Sequence, residues 1–312
     1  MKIARFATEN GPAYGVIEGE CVRELSGTPW PVGNCELRMT NDKCKNGNST
    51  PTFSSLPHSP NSTFTIRNSQ FPLDLRFSGR EYAFDMRNLS FAIPALRLLA
   101  PVVPPVVWAI GLNYRAHAAE LGNTIPEEPL AFLKPSTSVI GPGDDIVIPE
   151  MAPDAVDYEC ELAVVIGRPC KNVSEADALD YVLGYTCAND VTARDCQYLR
   201  DKQWARAKGF ETFCPLGPWI ETELDPDHAA LATMLNGKTM QQSSTADMIF
   251  SVRQLIRHCS RIGTLLPGTV ILTGTPPGVG YGRNPRVHLH PGDTVEITIA
   301  GIGTLRNGVR QA

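Results

Sequence analysis

Between residues 157 and 166 the chain reads Asp157-Tyr158-Glu159-Cys160-Glu161-Leu162-Ala163-Val164-Val165-Ile166. In a strand the side chains of such a run alternate between two faces. Cys160, Leu162, Val164 and Ile166 form one apolar face, and Glu159 and Glu161 share the other with Ala163 and Val165. Two carboxylates roughly 7 Å apart at their Cα atoms, on a face that soon turns apolar, are costly to bury without a compensating cation. A divalent cation meets that cost and accepts two such oxygens at adjacent positions of an octahedron. The competing reading is an edge strand whose glutamates face water.

A metal site of this kind needs a third carboxylate. Asp190, closing the stretch YTCAND, and Asp195 are both candidates, and spacing does not choose between them. All-oxygen ligation favours hard Mg²⁺ or Mn²⁺, with Ca²⁺ also compatible. No Cys/His cluster has zinc spacing. His288 and His290 fall on alternate positions of an expected strand with no third ligand near, and read as surface. His117 and Glu120 lie three apart on a short helical pattern and so share a face. A glutamate beside a histidine orients the ring and raises its basicity, which suits a general base; the plain alternative is a solvated helix face. GTPPGVGYG (274–282) offers backbone N–H groups to a phosphate or carboxylate. It lacks the Lys-Ser/Thr of a phosphate-binding loop and the helix that follows a dinucleotide fingerprint, and such a run is more often a plain loop. Lys134, Arg194, Gln197 and Lys208 are candidate substrate-binding groups.

The elements that must position these groups are mostly strands. KIARFA and YGVIEGECVREL alternate and predict a small β unit over residues 1–25. Residues 26–75, rich in Ser, Thr, Asn, Pro and Gly, predict a long polar surface insertion. VVWAIGL reads as a buried strand. NYRAHAAELG reads as a short helix with Asn113 as its N-cap and Gly122 just past its end. SEADALDYVLG (174–184) carries a capping-box pattern from Ser174 to Asp177 and predicts a helix. TADMIFSVRQLIRHCSRIG (245–263) is the longest helical pattern, with Met248, Ile249, Val252, Leu255 and Ile256 on one face. PGDTVEITIAGIGTLRN reads as a hairpin. Strands outnumber helices without strict alternation, which predicts an α+β fold with a curved or closed sheet.

The 312 residues suffice for a large core. The net charge of −5, without any Lys/Arg-rich run, excludes the electrostatic footprint of a nucleic-acid binder. The longest apolar stretch, LLAPVVPPVVWAIGL (98–112), contains three prolines and is shorter than the roughly 20 residues of a membrane helix. The N-terminus lacks the apolar run of a signal peptide. Nine cysteines, an odd number without a CxxC pair, favour a reducing, cytoplasmic setting over a disulfide scaffold.

Taken in order, GLNYRAHAAELG (111–122), PLAFLKPSTSVIGPGDDIVIP (129–149), DYECELAVVIGR (157–168), GYTCANDVTARDCQ (184–197), KGFETFCPLGPWI (208–220), NGKTMQ (236–241) and LLPGTVILTGTPPGVG (265–280) resemble the fumarylacetoacetate hydrolase family over about residues 97–308. The resemblance implies an α+β fold with a mixed β-roll or β-sandwich core over residues 96–312, behind a small N-terminal β domain over residues 1–95. It implies metal ligation by Glu159, Glu161 and Asp190, a catalytic dyad of His117 and Glu120 on a lid segment, and a catalytic Lys208. Gln197, Arg194 and Thr275 match substrate-contacting positions, and the family is usually homodimeric. The implied activity is divalent-metal-dependent hydrolysis of a C–C bond in a β-diketo acid or acylpyruvate, by way of an enolate. Decarboxylation of an oxaloacetate-like acid, or isomerisation or tautomerisation of an unsaturated 2-oxo acid, uses the same site. A non-catalytic binding protein is the remote alternative. The segment over residues 26–92 is longer and more polar than the family's usual connection.

Overall fold

The computed structural model describes residues 1–25, 28–29, 75–77, 80–82, 86–93, 96–201 and 203–312. The expected insertion at 26–75 lies almost wholly outside the described residues. The strands β1 (Lys2–Thr8), β2 (Gly11–Glu18) and β3 (Cys21–Leu25) form an antiparallel meander. The strands β4 (Leu75–Phe77) and β5 (Arg80–Tyr82) pair as a ribbon, and β6 (Met86–Ala92) returns beside β3. Next come β7 (Val107–Gly111), the short helix α1 (Arg115–Glu120) and β8 (Leu130–Lys134). They are followed by β9 (Val139–Ile140), β10 (Ile146–Ile148), β11 (Val156–Asp157), β12 (Cys160–Ile166), β13 (Val182–Asn189) and β14 (Thr192–Ala193). The remainder is α2 (Ala205–Gly209), β15 (Cys214–Glu221), β16 (Ala230–Leu235), β17 (Lys238–Ser244), α3 (Val252–Ile262), β18 (Val270–Leu272), β19 (Thr294–Ile299) and β20 (Gly303–Gln311).

A mixed sheet runs β6-β3-β2-β1-β15-β13-β12-β18-β7-β8, with β9 beside β15, and a second sheet runs β10-β20-β19-β16-β17. The fold is α+β and sheet-rich, as expected. Lys2 and Ile3 of β1 pair with Glu221 and Ile220 of β15, so the opening meander is continuous with the main sheet. The large core cluster joins Leu162, Val164, Ile166 and Cys187 of the first sheet to Leu231, Val295, Ile297 and Leu305 of the second. Ala163 and Val165 of β12 belong instead to a cluster with Val107, Ala109, Leu216, Val270 and Leu272. The strand β12 therefore lies between β13 and β18 and is buried on both faces. That position overturns the edge-strand reading of the Glu159–Glu161 segment.

Three local expectations are corrected. The 174–184 pattern yields a single 3-10 turn over Ala178–Tyr181. Ser174 does accept the Asp177 N–H, at 3.2 Å. The chain nevertheless enters β13 at Val182, because sheet pairing with β12 overrides the local helix signal. The 245–263 pattern divides into a 3-10 turn at Thr245–Asp247 and the helix α3, which starts only at Val252 behind a Ser251–Gln254 capping box. Between them the Ile249 N–H donates to the Asn113 carbonyl, which takes Ile249 out of the helical ladder. Asn113 does not cap α1; the N-cap is Tyr114. The Asn113 side chain instead donates to the carbonyls of Thr273 (2.7 Å) and Phe250 (3.0 Å) and accepts the Phe250 N–H (2.8 Å). Helix α1 is thereby tied to the ends of β18 and α3. Among the described residues no helix is long and apolar enough to cross a membrane.

Candidate metal centre and active site

Strand pairing brings the three carboxylates together. The antiparallel register sets Cys160 opposite Asn189, so Glu159 and Asp190 flank one end of the β12–β13 pair. The Asp190 N–H donates to the Glu159 carbonyl, and the Asn189 Oδ1 accepts the Glu159 N–H, both at 2.9 Å. Glu161 lies two residues further along the Glu159 face. Each of Glu159, Glu161 and Asp190 is at most 5% exposed, and one oxygen from each lies within 4.8 Å of the others. Asp195, the other candidate, pairs with Arg200 at 2.9 Å and is not in this cluster.

The charges around the three are unevenly shared. The Lys208 Nζ lies 2.6 Å from both Glu159 Oε2 and Asp190 Oδ2. The Lys134 Nζ lies 2.6 Å from Asp190 Oδ1 and donates to the Lys208 carbonyl. The Arg194 guanidinium reaches Glu159 at 2.8 Å. Burial opposes ionisation of Glu159, but Lys208 and Arg194 overcome it and hold the carboxyl below its ordinary value. Burial likewise opposes the charge on Lys208, and Asp190 and Glu159 outweigh it and raise the ammonium's pKa. Glu161 is different. Burial first, then the charges of Asp190 and Glu159, push its carboxyl well above the ordinary range. Its direct hydrogen bond comes from the Gly274 N–H at 2.7 Å, a dipole rather than a charge. Three hard oxygen donors, one of them without a cation in contact among the described residues, fit a divalent cation of the Mg²⁺, Mn²⁺ or Ca²⁺ type.

The glycine-rich loop is more than a plain connection: its amides hold carboxylates, and these are the protein's own. Gly274 serves Glu161, Gly278 serves Glu120 (2.8 Å), and Gly280 and Tyr281 serve Asp157 (2.8 and 2.9 Å). The approach at Gly280 is close: a Cβ there would meet the Val287 carbonyl oxygen at 1.8 Å. Asp157 is fully buried and also accepts the Arg194 Nε at 2.8 Å, while the Arg194 Nη1 donates to Gln197 Oε1 at 2.8 Å. Asp157 thus ties the loop to the guanidinium that contacts Glu159. Asp157→Ala leaves that guanidinium buried with one partner fewer, and should cost about 3–5 kcal/mol of stability. Urea unfolding should show this as a lower midpoint with an unchanged slope.

The His117 Nδ1 lies 2.8 Å from Glu120 Oε2. Burial opposes the Glu120 charge, but the bonds from His117 and the Gly278 N–H win and lower its pKa. His117 is 5% exposed and lines a cavity of about 360 Å³ together with Glu159, Glu161, Asp190, Arg194, Gln197, Lys208 and Thr275. Thr275 is braced there by Gln241, whose Nε2 donates to its Oγ1 at 2.8 Å. Glu120 stands behind His117 and does not line the cavity. Lys134, expected to bind substrate, is also absent from the lining: its ammonium is spent on Asp190. His290 is exposed as expected, whereas His288 is half-buried, and no strand covers 288–290. The described cysteines are free thiols, and burial pushes Cys187 and Cys214 up to about 12, which suits small core residues. Sequence reasoning missed Asp157, and it missed Tyr198 and Trp204, which also line the cavity. Signals were there for two of them: an acid two residues before the Glu-x-Glu pair, and a tryptophan isolated in the polar stretch DKQWARAKG.

Residues 106–310 match the family model described as fumarylacetoacetate (FAA) hydrolase, C-terminal, and residues 1–38 match the one described as Rv2993c-like, N-terminal. The chain is 46% identical over 219 residues to oxaloacetate tautomerase fahd2, mitochondrial, of Xenopus laevis, covering 69% of this chain and 68% of that one. It is 46% identical over 207 residues to 2,4-didehydro-3-deoxy-L-rhamnonate hydrolase of a Sphingomonas species, covering 65% and 72%. Among solved structures, 5-carboxymethyl-2-hydroxymuconate delta-isomerase from Mycobacterium smegmatis matches over 100% of both chains with a TM-score of 0.76 and 39% identity. With more than half of its length matched by the family model, the chain belongs to the fumarylacetoacetate hydrolase family.

Proposed function

We propose that the chain is a hydrolase that cleaves a C–C bond in a small β-diketo acid of the acylpyruvate type, with Mg²⁺ or Mn²⁺ as its cation. The observation that carries this reading is the convergence of three buried carboxylates and a carboxylate-held histidine on one cavity. Glu159, Glu161 and Asp190 would hold the cation. When bound, it supplies Lewis-acid polarisation of a substrate carbonyl and offsets the negative charge of the enolate. Thr275, Gln197 and Arg194 orient the substrate's oxygens, and Lys208 places a second positive charge beside them. Glu120 fixes the ring of His117 through Nδ1 and leaves Nε2 to take a proton from water. The water oxygen bonds to the distal carbonyl carbon, and the bond from that carbon to the methylene breaks. The electron pair stays on the three-carbon fragment as an enolate. His117 returns the proton to it, so the products are a carboxylic acid and pyruvate.

A second reading, keto–enol tautomerisation of a 2-oxo acid, is favoured by the similarity to a tautomerase and to an isomerase. It uses the same cation and the same proton-carrying His117 without water addition. Turnover in ¹⁸O-water separates the two. Hydrolysis places one heavy oxygen in the acid released from an acylpyruvate. Tautomerisation of oxaloacetate, with acylpyruvates left intact, would replace the first reading by the second.

A further inference from the structure

The cavity has two chemically distinct sets of lining groups. The polar set is gathered around the acidic triad by the contacts described above. The other comprises Leu112, Leu121, Pro126, Leu130, Phe132 and Trp204, contributed by the segment from the end of β7 to β8 and by the chain entering α2. This apolar wall is built in. The Phe132 and Trp204 rings meet edge to face at 5.3 Å, and Gly111 leaves room for the indole: a Cβ there would lie 2.4 Å from it.

Every basic side chain among the described lining residues belongs to the polar set. Lys208 bridges Glu159 and Asp190, Arg194 serves Asp157, Glu159 and Gln197, and His117 is held by Glu120. Asn123 and Thr124, which also line the cavity, are neutral and exposed. Lys202 lies outside the described residues. A substrate with a carboxylate at each end would set its second charge against leucine, phenylalanine and tryptophan side chains, a wall without a basic group among the described residues. An unpaired charge there loses hydration without compensation, whereas a methyl group gains by the same transfer.

We infer that the acyl half of the substrate is apolar: the enzyme takes 2-oxo acids whose sole carboxylate adjoins the 2-oxo group, in preference to dicarboxylates of equal length. This deepens the proposed reaction and rests on it. Butanoylpyruvate and succinylpyruvate form a matched pair, since the second has a carboxylate where the first has a methyl. With the Mg²⁺-loaded wild type, kcat/KM should favour butanoylpyruvate by about 10- to 100-fold, the scale of one pocket contact. Calorimetric binding should favour it in the same sense. Leu130, at 45% exposure, tolerates substitution, and Leu130→Arg should move the ratio about tenfold toward succinylpyruvate. Leu130→Met should leave the ratio in place. If the Leu130→Arg protein fails to fold, Leu121→Arg makes the same test. Equal treatment of the pair, preference for succinylpyruvate, or an arginine variant with the wild-type ratio overturns this inference alone. Failure of the Mg²⁺-loaded protein to bind or cleave either compound overturns both this inference and the reaction it rests on.

Discussion

Replacing Glu161 by glutamine should reduce turnover by at least about 10³-fold, the scale of losing one electrostatic contact to the transition state together with the metal's grip. The metal-free variant should be no less stable than wild type. Glu159 and Asp190 are held by Lys208, Lys134 and Arg194, so their removal strands buried cations. Among the described residues no such cation contacts Glu161, and its carboxyl is raised by burial and by its two acidic neighbours. In the metal-free protein the folded state therefore keeps a proton that the unfolded chain has released. Stability is full below the ordinary carboxylate range and falls as pH rises through the raised folded value. Glutamine removes that loss. Thermal melts of both proteins without metal, against pH, check the stability half, and metal content after dialysis checks the other. A variant that retains metal and full activity would reject Glu161 as a ligand.

His117→Ala should lower hydrolysis by about 10²–10⁴-fold, or about 3–5 kcal/mol of barrier, while metal affinity stays close to wild type. The separation follows from geometry. His117 is bound to Glu120, which is bound to the Gly278 N–H, and neither of these two contacts is to Glu159, Glu161 or Asp190. Glu120→Gln should fall between the two, since it loses the charge that orients the ring but keeps its shape. Steady-state kinetics beside a metal titration distinguishes loss of the base from loss of the cation. Normal hydrolysis by His117→Ala would move the base elsewhere.

What the sequence made legible, and what it hid, divides along physical lines. The Glu-x-Glu pair was readable because strand alternation is local: one period-2 pattern places both carboxylates on a face. Asp190 was not separable from Asp195 by spacing, because the choice is made by the pairing register between two strands whose intervening turn can have any length. The resemblance supplied what spacing could not. Asn113 failed as an N-cap for a related reason. Its side chain is claimed by Thr273 and Phe250, residues more than a hundred positions away. Lys134 looked like any other lysine, and only its seat against Asp190 shows it to be a partner of the ligand rather than of the substrate. The glycine-rich loop reads from its sequence more readily as a plain loop than as an anion holder, and only the tertiary fold shows that its amides hold Glu161, Glu120 and Asp157. The helix at 174–184 failed because central strands are fixed by their neighbours, and Val182–Asn189 has two.

Bound divalent cation and turnover, measured together on one sample, test the centre of this account. The protein is stripped with a chelator, its metal content is read by mass spectrometry, and Mg²⁺ or Mn²⁺ is then titrated back against the rate with an acylpyruvate. The rate should fall to background in the stripped protein and return in proportion to one cation per chain, with Glu161→Gln failing to recover. Undiminished turnover by a chain shown to carry no metal would contradict it.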